Sequence, residues 1–260
     1  MEGSERAEGG DAPAPPAGAG RDPWLRLSAH TTARIALGRA GGSLRTASLL
    51  EFRTAHARAR DAVHQPFDAA GLSGALQALG LEVERLATAA PDRRAYLARP
   101  DLGRRLDPAS AGRLAEMARS LGRRDLAVLV SDGLSAAAAE GHAAETVAEL
   151  ARILKGAGWT LYPVFVVPLA RVKLQDAVGE ILGAAHSLIL LGERPGLSAQ
   201  DSLGAYLTFG PRASRTDADR NCVSNIRGDG LAPGAAAEKI ARLLVESRRI
   251  GLSGTALTDA

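Results

Sequence analysis

Four short apolar runs, LAVLV (126–130), TLYPVFVV (160–167), SLILL (187–191) and AYLTF (205–209), constrain the fold more than any other feature of the chain. Three of them are nearly continuous rather than alternating, the pattern of strands covered on both faces, as in a parallel sheet. Segments of helical period lie between and around them. Asp107 and Pro108 supply an N-cap and a first turn, Leu114, Met117, Ala118 and Leu121 form a stripe, and Gly122 supplies the stop. A second stripe, Val147, Leu150, Ala151 and Leu154, precedes Gly156, and 174–182 and 236–244 repeat the theme. Strand and helix in alternation predict a right-handed, doubly wound α/β sheet over 101–260.

In such a sheet ligands bind outside the carboxyl ends of the strands. Four loops are therefore predicted at one edge: SDGLS, PLARVK, GERPGL and GPRASRTDADRNCVSN. In GERPGL, Pro195 and Gly196 shape a turn. Glu193 and Arg194 either pair with each other at the surface or leave a carboxylate free to accept hydrogen bonds from ligand amides. In SDGLS, Ser131 and Asp132 either touch a ligand or serve a tight Asp132-Gly133 turn, with Ser135 capping the next helix. Cys222, a small side chain with no His-Asp set nearby, reads as structural.

Familiar catalytic sets are missing. No G-x-G-x-x-G follows a strand, GRAGGSL (38–44) lacks the Lys-Ser/Thr ending of a phosphate loop, and no G-x-S-x-G appears. His30, His56, His64, His142 and His186 make no metal spacing with acidic residues, and His142, in EGHAAE, reads as a solvated helix start. No catalytic residue is assigned, and a self-contained enzyme is not expected. A single cysteine rules out intrachain disulfides and fits a reducing compartment. The apolar runs fall far short of a membrane helix, and 1–21 has no apolar segment of a signal peptide, so the cytoplasm is the default. Thirty-two basic against 29 acidic residues leave +3, a weak pointer to nucleic acid.

The first 22 residues, rich in Gly, Ala, Pro and charge, have no large apolar side chain to bury and are expected to be a disordered tail. From 23 to 100 the pattern is mainly helical, a region expected to contact a partner. Ser48 with Glu51 suggests a capping box, and Leu49, Phe52, His56, Ala59 and Val63 recur at helical spacing, which puts His56 on the apolar face.

Several longer strings carry a resemblance. ARIALGRAGG (33–42), YLARPDLGRRL (96–106), SDGLS (131–135), RVKLQDAVGEILGA (171–184), GERPGLSAQDSLGAY (192–206) and DRNCVSNI (219–226) resemble, in order, the small subunit family of ethanolamine ammonia-lyase, from about 32 to 244. The resemblance implies a Rossmann-like lobe (101–260) that helps enclose adenosylcobalamin at the mouth of a barrel formed by a large-subunit partner. That partner holds ethanolamine. It implies a radical reaction started by cobalt-carbon homolysis, with hydrogen taken from the hydroxyl-bearing carbon and release of acetaldehyde and ammonia; the hard chemistry is the cofactor's. The cofactor contacts that it implies are Val172 in RVK, Glu193 in GERPG and Cys222 in DRNC. Corrin amides suit Glu193 as acceptor, while Val172 offers backbone and apolar contact and Cys222 a compact, weakly polar surface. The Asp-x-His-x-x-Gly motif that replaces the cofactor's own base beneath cobalt is missing, EGHAAE being the nearest match, so base-on binding is expected. Some relatives direct the enzyme into an ethanolamine-utilisation bacterial microcompartment with an N-terminal extension. This tail is too rich in Gly and Pro to read as an amphipathic targeting helix, which leaves encapsulation open.

Two rivals remain. A stand-alone Rossmann-type nucleotide-dependent enzyme lacks its glycine fingerprint here. A basic nucleic-acid-binding module draws on a pI of about 9.4 and the RAR and GRR clusters, but has only 3% aromatic residues for stacking.

Overall fold

The computed structural model describes residues 23–257 apart from 32 and 36. The expected tail, 1–22, lies outside the described residues. The chain divides into two compact units at Phe52/Arg53.

In the first unit a 3-10 helix (Pro23–His30) precedes a two-residue hairpin, β1 (Arg39–Ala40) and β2 (Ser43–Leu44). Gly41, at φ +62°, makes its turn, a conformation that a side chain resists. Helix α1 (Thr46–His64) then begins. It starts two residues before the expected cap, and Ser48 Oγ donates to the Leu37 carbonyl at 3.3 Å instead of capping. The expected apolar stripe is not a core stripe either: Ala55 is the buried residue of α1, and both Phe52 and His56 are exposed.

The second unit holds a six-stranded sheet of order β3-β5-β4-β6-β7-β8. After α2 (Ala69–Ala78) comes β3 (Val83–Arg85), then α3 (Arg93–Ala98), α4 (Pro108–Leu121) and β4 (Leu126–Ser131). A continuous helical segment follows: α5 (Ala136–Ala138), a π turn (Ala139–Ala143) and α6 (Ala144–Gly156). It leads to β5 (Val164–Val166), α7 (Leu174–Leu182), β6 (His186–Gly192), β7 (Leu203–Phe209), β8 (Arg220–Ile226) and α8 (Pro233–Ile250). Strands β4, β5 and β6 are buried throughout, as their unbroken apolar runs require. Leu129, Phe165 and Ile189 face α4 and α7, and Val128, Val166 and Leu190 face α2, α6 and α8. The α/β, doubly wound, mostly parallel reading holds.

The sheet departs from expectation in several places. β7 runs antiparallel to β6, and β8 antiparallel to β7. A parallel return needs a crossover of a dozen or more residues, usually with a helix, and 193–202 carries none. The segment DRNCVSN, expected as a loop, is most of β8. The region 23–100 is mainly helical as expected, and it also supplies β3, which pairs with β5 from Val83↔Val164 to Arg85↔Val166. The expected boundary near residue 100 therefore lies inside the unit that holds the sheet. Pro163, which has no N–H to donate, precedes the ladder of β5 and shortens the strand expected over 160–167.

The helix signals fare better. Asp107 accepts the Ser110 backbone N–H at 2.7 Å and Gly122 closes α4 at φ +65°. The Ser110 hydrogen bonds hold the Asp107 carboxyl below its usual range. Asp107→Ala is expected to cost about 1 kcal/mol of stability, read as a lower urea midpoint with unchanged slope.

Candidate functional site

The crevice where a doubly wound sheet ordinarily takes its ligand is filled by the protein itself. β4 is followed by helices on one face and β5 by a helix on the other, so the switch point lies between their carboxyl ends. There Asp132, 2% exposed, accepts the Leu169 N–H at 2.7 Å and Arg93 Nη1 at 2.8 Å, and Ser131 Oγ accepts the Ala170 N–H at 3.0 Å. Burial pushes the Asp132 carboxyl up, against the pull of these hydrogen bonds and of Arg93. Ser135 caps the next helix through the Ala138 N–H. The structural reading of SDGLS holds: these side chains knit two loops together.

The same crowding answers why the strand at 186–192 ends in glycine. A Cβ on Gly192 would lie 2.1 Å from the Ser135 carbonyl oxygen, and Gly133 presses against Gly192 from the other side. Gly192 therefore lets the β4 and β6 loops touch, and the chain beyond is free to turn Glu193 away from the switch point.

A different cavity lies on the α7 side of the sheet, beyond the strands that α7 covers. Its volume is about 570 Å³, and Val172, Tyr206 and Cys222 line it. Residues of β7 alternate: Leu203, Ala205 and Leu207 join the core under α8, and Tyr206 faces the opposite way. Cys222 stands opposite Tyr206 in the ladder. Val172, half-buried, comes from the segment between β5 and α7. Glu193 is half-buried and accepts a hydrogen bond from Ser202 Oγ at 2.5 Å. The absent side chain of Gly204 leaves it room, since a Cβ there would lie 2.8 Å from Glu193 Oε1.

The three residues singled out from sequence are thus gathered around Tyr206. Val172 and Cys222 line the cavity itself, and Glu193 lies close enough for its charge to help raise the proton affinities of both Tyr206 and Cys222. Burial is the larger cause at each. Cys222 faces the cavity and is exposed, yet crowding on its inner side pushes the thiol up, so it is an uncharged surface rather than a nucleophile.

Sequence reasoning placed Cys222 at a carboxyl edge. It sits near the start of an edge strand instead, because β7 reversed direction. The loop 210–219 consequently leaves at the opposite edge and folds back along α7, where the Ala213 and Arg215 carbonyls both accept from Lys173 Nζ. This return completes a cationic wall that the sequence did not single out, bringing Arg215 and Arg220 beside Arg104, Arg171 and Lys173. Tyr206 was missed too, although the two-residue period of AYLTF assigns it to the face opposite Ala205 and Leu207.

The histidines take no part. His142 is not a solvated helix start: it lies in the π turn, half-buried, with Nε2 3.3 Å from Asp201 Oδ2. His186 is fully buried between Trp159 and Phe209.

Comparison with known proteins assigns this architecture to a family. The sequence model for the ethanolamine ammonia-lyase light chain (EutC) matches residues 21–258. An ethanolamine ammonia-lyase small subunit of Azotobacter vinelandii is 52% identical over 239 residues, covering 92% of this chain and 88% of the relative. The small subunit of Xanthomonas campestris pv. campestris is 52% identical over 240 residues, with the same coverage. That of Pseudomonas aeruginosa is 50% identical over 245 residues, covering 94% of this chain and 90% of the relative. With the match running through the sheet, the cavity and the GERPGL turn alike, the chain belongs to the ethanolamine ammonia-lyase small subunit (light chain) family.

Proposed function

We propose that this chain forms one wall of the adenosylcobalamin site of a hetero-oligomeric ethanolamine ammonia-lyase, which converts ethanolamine to acetaldehyde and ammonia when the large subunit completes the site. The observation that carries the reading is the gathering of Val172, Glu193 and Cys222 around Tyr206 on one open stretch of sheet. The donor set suits a corrinoid in kind. Glu193 accepts N–H groups from peripheral amides, Val172 offers backbone polar groups and apolar contact, Tyr206 provides a flat floor, and Cys222 is small enough to let a large ring approach.

A cavity of about 570 Å³ is too small to enclose a whole corrinoid, which argues for a second chain as the other wall. When bound, adenosylcobalamin supplies the radical that starts the reaction by homolysis of its cobalt-carbon bond. This chain's part is to grip, orient and exclude water. No histidine among the described residues lines the cavity, in keeping with a base-on cofactor. Cobalt with nitrogen coupling from a histidine in an electron paramagnetic resonance spectrum would contradict that form.

For the partner surface, the exposed apolar side chains Leu44, Leu50 and Phe52 on α1 and just before it are the candidates. A stable interface of this kind buries upwards of ~1,200 Å² in total. No helix among the described residues is long and apolar enough to cross a membrane.

Co-expression with the large subunit tests the reading. The complex should retain a corrinoid and release ammonia from ethanolamine only with adenosylcobalamin. Glu193→Gln, which keeps shape and loses charge, should weaken corrinoid binding by roughly tenfold. Unchanged affinity in Glu193→Gln, Tyr206→Ala and Cys222→Leu together would place the cofactor elsewhere. Retention of a nicotinamide cofactor in place of a corrinoid would favour a self-sufficient nucleotide enzyme.

A further inference from the structure

The cationic wall is more than charge scattered on a surface. Among the described residues, three carboxylates pair with three of its five cations. Asp176 binds Arg220 Nη1 and Lys173 Nζ, both at 2.8 Å, Asp217 binds Arg220 Nε at 3.2 Å, and Asp219 binds Arg215 at 3.3 Å. Arg171 and Arg104 have no carboxylate partner among those residues. Arg171 lies instead over the Tyr96 ring, 4.0 Å from its centroid, and Gly103 packs close beneath it, which sets Arg104 at the rim.

Two donors in this wall are orphaned. Arg220, with a side chain 3% exposed, has no acceptor for Nη2, and Arg171 has none for Nε. A buried N–H without an acceptor is costly, and a native structure keeps few of them. These guanidiniums are already held in place, by the Asp176 pair in one case and the Tyr96 stack in the other. An entering anion therefore finds cations that need little ordering.

We infer that this wall is a phosphate subsite and, resting on the function proposed above, that it takes the phosphodiester in the nucleotide tail of the cofactor. The amides around a corrin ring are neutral, and the phosphodiester is the permanent anion of that tail. Planar, forked guanidinium groups match its oxygens.

The test compares two corrinoids on the co-expressed complex: cyanocobalamin, which carries the nucleotide tail, and dicyanocobinamide, which lacks it. Binding is read by equilibrium dialysis. Arg104→Gln changes an exposed residue with no carboxylate partner among those described, so the fold should tolerate it. It should raise the cyanocobalamin dissociation constant roughly tenfold and leave dicyanocobinamide within about twofold, while Arg104→Lys recovers part of the loss. At matched ionic strength, inorganic phosphate should compete with cyanocobalamin and not with dicyanocobinamide. Equal weakening of both corrinoids, or of neither, overturns the subsite. So does protection of the complex by inorganic phosphate with no preference between the two corrinoids, which would mark a site for a free anion. The broader reading fails separately: if Glu193→Gln leaves both corrinoids unaffected in this assay, the cavity is not the cofactor's. If Glu193→Gln weakens both and Arg104→Gln does not separate them, only the phosphate assignment falls.

Discussion

Asp176→Ala should lower the unfolding free energy of the full chain by about 3–5 kcal/mol, the usual cost of stranding one partner of a buried ion pair. Asp176 is 1% exposed and takes Arg220 Nη1 on both carboxylate oxygens, at 2.8 and 2.9 Å, with Lys173 Nζ beside it. Removing it leaves Arg220 buried with one remaining carboxylate, the solvent-facing Asp217. The double variant Asp176→Leu/Arg220→Met should recover much of the loss, since apolar replacement of a whole buried pair is often neutral or better. Urea unfolding of the single and double variants measures both. A single-variant cost under about 1 kcal/mol would mean that Arg220 escapes to water or finds another acceptor. The pair sits under the proposed cofactor wall, so the same variant should weaken cyanocobalamin binding as well as stability.

Acid should destabilise the chain through His186. Its imidazole is fully buried, with ring centroids of Trp159 and Phe209 both 5.1 Å away. Ser247 Oγ donates its one hydrogen to the Leu252 carbonyl, so it accepts from His186 Nε2–H at 3.2 Å, and Nδ1 has no hydrogen-bond partner. Burial, with Arg248 nearby, pushes the His186 pKa down from 6.5 to about 4, and the weaker pull of Asp125 does not offset it. The folded pKa lies below the unfolded one, so the unfolded state takes up the proton first. The stabilisation is therefore complete above pH 6.5 and is lost as pH falls from there toward about 4, up to about 3 kcal/mol in all. His186→Phe, which keeps a ring between Trp159 and Phe209, should flatten the decline of urea stability over that window. A decline unchanged in the variant would assign acid sensitivity to other groups.

How much of this was legible in the residues depends on how each element earns its place. Strands β4, β5 and β6 announce themselves because both faces are buried, which leaves unbroken apolar runs. Helices α4 and α7 do so through an N-cap aspartate or a clean stripe. β8 carries Arg220, Asn221, Ser224 and Asn225, because it is an edge strand with one face on the core and one on the cavity. Three-residue β3 gives too short a pattern to stand out from its helical surroundings. The reversal at 193–202 was readable in principle, since a helix-free segment this short falls below the dozen or more residues that a parallel crossover needs. Treating AYLTF as another parallel strand misplaced the loop after it.

The site followed the same division. Val172, Glu193 and Cys222 came from resemblance, and the fold then gathered them around Tyr206. The cationic wall is completed by 210–219 folding back along α7, a long-range event that no local pattern encodes. Arg220 and Lys173 in that wall are both fixed by Asp176, a residue the sequence offers only as part of a helical stripe.

The alternation in the last two strands separates grip from anchorage. Ala205, Leu207 and Val223 turn toward α8, and their neighbours Tyr206 and Cys222 turn toward the cavity. Exchange of a cavity-side residue alters which surface a visiting molecule meets, and exchange of an inward one alters only how tightly the ribbon adheres to the body. Under the cofactor role proposed above, selectivity among corrinoids with different tails can thus drift by single substitutions without disturbing the core beneath.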